Sequence, residues 1–346
     1  MGHRLTGQSS RSLLAGMSPD SQQDFALAFL SILYEGAPFI LLGTLISGFI
    51  DVYLPAGTMD RFLPKNKYLA VMMAGLLGAM FPVCECAVVP VIRRLVKKGL
   101  PVSCALTYML AAPIVNPITA LSTYKAFQGQ GAEMMTCSRL LLGYLIAVAV
   151  GFVVLRLPIR AVLRGRLVDS IEKDTAEKAS AAQAVHEHSG CCGHETPHHH
   201  HPAVPDNGER LVAAFRSAMK DFVDVGVYFT IGVCITALFN TGIAPGAEWL
   251  DTLAKNQVAA PAALMALAFI LSLCSTSDAF IAATLDKFSW GAKLAFLTFG
   301  PMMDVKLLFL YQTVLNKRFI VVLAIGLFIS IGAISIFWQS LIFQAL

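Results

Sequence analysis

The chain has 346 residues, 56% of them hydrophobic and only 14% charged, with a net charge of +4. Soluble domains carry about 25% charged residues, so this chain lacks the side chains to cover a water-exposed surface. The same figures exclude intrinsic disorder, collagen and coiled coil. The small basic excess is not interleaved with aromatics, which excludes nucleic acid as a partner. The chain reads as an all-α, polytopic membrane protein.

A membrane-spanning helix needs about 20 mainly apolar residues. Eight segments qualify, at 25–50, 68–92, 100–122, 139–158, 221–243, 258–285, 292–315 and 319–343. The first nineteen residues are polar, without an apolar stretch or small-residue cleavage site, so no cleaved signal peptide is expected. This layout divides the chain into a cytosolic segment 1–24, a first transmembrane repeat 25–158, a linker 159–215 and a second repeat 216–346. Basic residues near span ends set orientation. Arg93, Arg94, Lys97 and Lys98 follow span two, and Arg156, Arg160, Arg164 and Arg166 follow span four. With alternating spans these clusters share a side, which predicts cytoplasmic termini and a cytoplasmic linker. Arg61, Lys65 and Lys67 after span one, and Lys317 and Arg318 before span eight, go against this pattern.

Span two carries Phe81-Pro82-Val83-Cys84-Glu85-Cys86-Ala87-Val88-Val89-Pro90. A carboxylate within a span costs about 3 kcal/mol even on lenient insertion scales and marks a pathway or relay. On a helix the two thiols point about 200° apart and cannot share an ion; on an extended backbone they share a face. Pro82 and Pro90 remove the helical donors to the carbonyls of Gly78 and Cys86. An unwound stretch at 82–90 is therefore expected, with both thiols facing a cavity. Thiolates select Cu(I), Zn(II) and similar ions, and a carboxylate adds a hard ligand or proton acceptor. The structural alternative makes the cysteines packing residues and turns Glu85 toward the headgroups.

Span three contains Ala112-Pro113-Ile114-Val115-Asn116-Pro117. Span six contains Cys274-Ser275-Thr276-Ser277-Asp278, and span seven Gly300-Pro301-Met302-Met303-Asp304-Val305-Lys306. Pro113 and Pro301 free the carbonyls of Met109 and Leu297, which are tolerated at depth only inside protein or along a cavity. Cys274 and Asp278 complete a site begun by Cys84 and Cys86, while Asn116 and Asp304 support ligands or carry protons. Lys306 pairs with Asp304 or with Asp278. Met302 and Met303 are soft ligands or packing residues, and Glu35 and Asp224 read as helix N-terminal charges. Pro117, like the other prolines, marks a helix break.

The halves resemble each other. Glu35 and Gly43 match Asp224 and Gly232, Cys84 matches Cys274, and Ala112-Pro113 with Asn116 matches Gly300-Pro301 with Asp304. Duplication with matching broken helices is the usual build of a secondary transporter, with the substrate at the repeat interface. Four spans per half make the repeats parallel; a re-entrant proline-broken segment makes them inverted.

Residues 156–216, the linker with its flanks, hold a third of the chain's charges, and the linker carries a dense ligand cluster: His186, His188, Cys191, Cys192, His194, His198, His199, His200 and His201. Imidazole and thiolate together suit Zn, Cu and Ni. The spacing matches no zinc finger, so the tract reads as a flexible collector of cytosolic metal. The structural alternative is a solvated low-complexity linker.

The thiol motif at 84–86 between prolines, the Ala-Pro-x-x-Asn-Pro at 112–117 and the His/Cys linker resemble the bacterial predicted-permease family that includes methylarsenite efflux permeases. The Cys-Glu-Cys form, followed by Val89-Pro90 and Arg93-Arg94, is most similar to its copper/zinc efflux subgroup. The resemblance covers about 25–345 and implies an inner-membrane exporter, with Cys84 and Cys86 as the thiols. Arsenical members carry a small residue where this chain has Glu85, which favours a metal cation. No enzymatic role and no permanently bound cofactor are expected; Cu or Zn is substrate, and the partners are lipid, metal ions and a homo-oligomeric copy. No phosphate-binding loop occurs, so an ion gradient or a separate motor subunit supplies the energy. An intramembrane thiol–disulfide oxidoreductase and a metal sensor are the readings from other classes.

Overall fold

The computed structural model describes residues 19–54, 64–80, 84–165, 167–170, 207–242, 256 and 258–345. These form thirteen helices: α1 (Pro19–Tyr53), α2 (Lys67–Met80), α3 (Glu85–Lys97), α4 (Val102–Ala111), α5 (Pro117–Ala126), α6 (Ala132–Val154), α7 (Ile159–Val162), α8 (Asn207–Gly242), α9 (Ala259–Leu271), α10 (Ser277–Thr284), α11 (Trp290–Met302), α12 (Val305–Tyr311) and α13 (Lys317–Ala345). Five helical stretches are long and apolar enough to cross a membrane, at Gln22–Tyr53, Ala132–Val154, Gly208–Leu238, Trp290–Tyr311 and Lys317–Ser340. Four of the expected spans are pairs of shorter helices, α2 with α3, α4 with α5, α9 with α10, and α11 with α12, of which the last pair together makes one of these five stretches. No strands occur among the described residues beyond an isolated Leu163–Leu315 pairing.

The breaks follow local chemistry. Asn116 caps α5 by accepting from the Ile118 amide, and Pro117 at the first helical position needs no donor. Asp304 does the same for α12 through the Leu307 amide at 2.6 Å. Ser272 leaves α9 in the left-handed region at φ 48°. Pro90 corrects the expectation of an unwound 82–90. It lies inside α3, whose helix resumes at Glu85. The proline sacrifices one internal hydrogen bond, whereas an extended stretch through 90 would orphan several in an apolar setting. Pro301 likewise sits inside the last turn of α11, and the break follows at 303–304. Pro113 lies in the turn after α4, and Pro82 falls outside the described residues.

Side-chain contacts set the direction of each helix. Ser47 bonds the Pro90 carbonyl and Arg94 bonds Asp51, so α1 and α3 are parallel. Ser47 also bonds Asp221, and Gly36 packs on Phe229, so α1 and α8 are antiparallel. Gly75 meets Thr107 and Gly78 meets Ala112, which makes α2 and α4 parallel. Thr107 lies on Gly151 and Arg139 bonds Thr123, so α4 and α5 together run against α6. In the second half Val305 bonds Ser272 and Gly300 faces Ala268, so α9 runs with α11. Phe299 packs on Phe328 and Gly291 on Gln339, so α13 runs against α11. Trp338 bonds Ser138 while the Asn316 amide bonds the Val162 carbonyl, so α13 also runs against α6.

These directions compose into one scheme. α2 runs into the bundle and α3 runs back out toward the same end; α9 and α10 do this from the opposite end. The chain therefore leaves α6 and enters α8 at one end, while α1 begins and α13 finishes at the other. Lys65, Lys67, Arg93, Arg94, Lys97, Lys98, Arg156, Arg160, Arg164, Lys317 and Arg318 all collect at the linker end. The two groups that went against the sequence-based orientation thus join the rest.

Two glycines allow matching close approaches between these layers. A Cβ on Gly43 would lie 2.8 Å from the Ala87 Cα, and one on Gly232 would lie 2.8 Å from the Lys306 Cα. Both neighbours are backbone and cannot swing aside. Gly43→Val and Gly232→Val are each expected to cost about 1–3 kcal/mol, read as a lower unfolding temperature in detergent. Gly226→Ala, with nothing within 4 Å of its added Cβ, should be silent.

Candidate functional site

The start of α3 and the break after α9 meet in the interior. Cys84 is extended, with φ −71° and ψ 164°, and Glu85 opens α3. Among the described residues of 82–90 only Cys84 is non-helical, and Cys84 and Cys86 both border the same crevice. Glu35, Cys84, Glu85, Cys86, Cys274 and Lys306 line one narrow crevice. Its free space is about 10 Å³, room for one water-sized particle. The thiols of both halves are uncrosslinked.

Lys306 occupies the polar centre. Its Nζ lies 3.1 Å from Glu85 Oε1 and 3.4 Å from Asp304 Oδ2. It donates to the backbone carbonyls of Ser272 at 2.9 Å and Leu273 at 3.2 Å, which the end of α9 leaves free. All three charged groups are buried. Glu85 Oε2 and Asp304 Oδ2 nevertheless have no hydrogen-bond partner.

A second buried pair lies toward the opposite end. Arg139 on α6 reaches both oxygens of Asp278 on α10, at 2.8 and 3.0 Å, and bonds the Ser275 carbonyl and Thr123 hydroxyl. Each pair joins a helix of one half to the broken segment of the other. Asp278 is thus committed to Arg139 rather than to Lys306, and Lys306 takes Glu85 as well as the expected Asp304.

The remaining sequence candidates separate clearly. Asn116 spends its side chain on the α5 cap and does not line the crevice. Asp304 divides its oxygens between the α12 cap and Lys306. Glu35 stands at the crevice and accepts from Ser277 Oγ at 3.2 Å, whereas Asp224 pairs with Arg93 at 3.5 Å. Thr276 donates to Cys274 Sγ at 3.6 Å. Among the described residues, no three His, Cys, Asp or Glu side chains converge on one ion position. His186, His188, Cys191, Cys192, His194 and His198 to His201 lie outside the described residues. Arg139 was missed because it stood at the edge of an apolar run. The signal for it is Asp278 itself, since a buried carboxylate requires a cationic partner.

A family model described as a predicted permease, ArsP_1, matches residues 22–340. The chain belongs to this predicted permease family. The permease is 34% identical over 296 residues to the UPF0718 protein YcgR of Bacillus subtilis, covering 85% of this chain and 90% of that one. It is 32% identical over 304 residues to a Streptococcus mutans protein described as "Putative two-component membrane permease complex subunit", covering 87% and 90%. No solved structure matches it. The permease is therefore a multi-pass membrane protein of transport type.

Proposed function

We propose that this permease exports thiophilic metal cations, Cu or Zn, across the bacterial inner membrane in exchange for protons. The observation that carries the reading is the crevice in which Cys84, Glu85 and Cys86 of one half face Cys274 of the other. Thiols favour soft ions, and the free space suits a bare ion better than a bulky organic molecule. Metal binding and ligand protonation compete, so protons entering from outside would release the metal there. The direction of transport rests on the family resemblance.

In this reading the permease crosses the membrane six times, by α1, α4 with α5, α6, α8, α11 with α12, and α13. The hairpins α2–α3 and α9–α10 enter from opposite sides. The halves are then inverted repeats, with the site where their broken segments meet. The basic residues at the linker end support a cytoplasmic linker, so the termini lie on the opposite side and not beside it. The His/Cys tract of that linker would gather metal at the cytosolic mouth.

The test is flux into inverted vesicles and into liposomes containing the purified chain alone. Zn(II) or Cu(I) should accumulate several-fold more when the lumen is acidic, and collapse of the pH gradient should remove the gain. Deleting 186–201 should raise the half-saturating concentration and spare the maximal rate. Accumulation of neither ion under any gradient would end the cargo assignment. Transport in vesicles that is lost in the purified system would instead require a motor partner.

A further inference from the structure

We infer that Lys306 is a tethered counter-cation: its ammonium sits in the cation position of the crevice, and an incoming ion must displace it. The inference rests on the proposed transport site but not on the identity of the cargo.

The surroundings of Nζ are those of a bound cation. Four oxygens face it, from Glu85, Asp304, Ser272 and Leu273, at 2.9 to 3.4 Å. Two are carboxylate oxygens and two are carbonyls released by a helix end. This donor set is one that hard and borderline cations use as readily as an ammonium. The carboxylates also offer more than the lysine uses. Glu85 is 3% exposed, yet its Oε2 has no partner. An orphaned anionic oxygen in the interior marks a place that a second ligand state satisfies.

Lysine and cargo cannot share this place. Cations within about 4 Å repel strongly where the dielectric is low, and both would use the same Glu85 carboxylate. An ion held by Cys84, Glu85 and Cys86 would therefore draw Glu85 away and send Lys306 toward Asp304 alone. Glu85 belongs to α3 of the first half, while Asp304 and Lys306 flank the break before α12 in the second. The Lys306–Glu85 contact is thus a tie between halves that opens when cargo binds. Its return expels cargo from the site. Competition of this kind weakens the apparent affinity of the resting state and makes release possible.

The test compares wild type with Lys306→Met in detergent, each titrated with Zn(II), Cu(I), Mn(II), K⁺ and Na⁺ while thermal unfolding is followed. Lys306→Met leaves two buried carboxylates without their ammonium, so it should unfold earlier, and at least one cation should restore it. That cation should raise the unfolding temperature of Lys306→Met more than that of wild type, by on the order of 5 °C. It should also bind the variant about tenfold more tightly, while net flux falls. A lysine with a purely structural role would give the same early unfolding without cation rescue. If Lys306→Met does not fold, Lys306→Met with Asp304→Asn removes one anion along with the cation and is read in the same way. The proposal is overturned if no cation stabilises the variant beyond wild type. Wild-type flux of Zn(II) and Cu(I), measured in parallel, reports separately on the cargo assignment.

Discussion

Replacing Arg139 by methionine should lower the unfolding temperature in detergent by about 10 °C, the consequence of losing about 3–5 kcal/mol. The guanidinium is 1% exposed and serves two anionic oxygens, a carbonyl and a hydroxyl on two other segments. Methionine fills much of the same volume but leaves Asp278 buried without a counter-charge. The cost is that of the abandoned carboxylate rather than of the bond itself. Arg139→Met with Asp278→Leu should therefore recover most of the loss, and the double-mutant cycle should show strong coupling. Arg139→Lys should fall between, since a single ammonium cannot serve Asp278 and Ser275 as Nη2 does and Thr123 as Nη1 does. A single variant as stable as wild type would contradict the pairing.

Glu85→Gln should reduce metal flux by about 10- to 100-fold, the range seen when support around a metal is removed. The amide matches the carboxylate in size, so Gly43 and Ala87 should still pack as before. What changes is charge: Lys306 loses an anionic partner and a cation in the crevice loses the carboxylate that lies between the two thiols in the sequence. Alkylation of Cys84 and Cys86 by a small maleimide should continue in this variant. That combination separates a permease from an intramembrane thiol–disulfide oxidoreductase, in which the dithiol reaction would survive the substitution as unimpaired activity. Cys84→Ser with Cys86→Ser should abolish both readouts. Unchanged flux in Glu85→Gln would remove Glu85 from the transport path.

Much of the candidate site is legible in the sequence, because intramembrane polar residues are costly and few. Cys84, Glu85, Cys86 and Cys274 were singled out on that ground and do line one crevice. The matched position of Asn116 and Asp304 was also legible, and in the structure both cap the helix after a break. Their roles then diverge, since only Asp304 has a spare oxygen near Lys306. The pairing of Arg139 with Asp278 and of Lys306 with Glu85 was not legible. Partners 139 and 221 positions apart are brought together by packing, and no local pattern encodes which cation meets which carboxylate.

Composition alone determined the solvent: 14% charged residues can cover a linker and the ends of helices, and nothing larger. Proline with a following Asn or Asp also determined where helices stop, because a missing donor and a capping oxygen act within a few residues. Only the tertiary structure decided whether the chain continues or turns back after each stop. Apolar residues are buried equally well in either case, so hydropathy carries no information about direction. The contacts of Gly43, Ser47 and Arg94 turn α3 back beside α1. That reversal places every described basic cluster flanking the spans at one end and sets a lysine, rather than an open cavity, between the two halves.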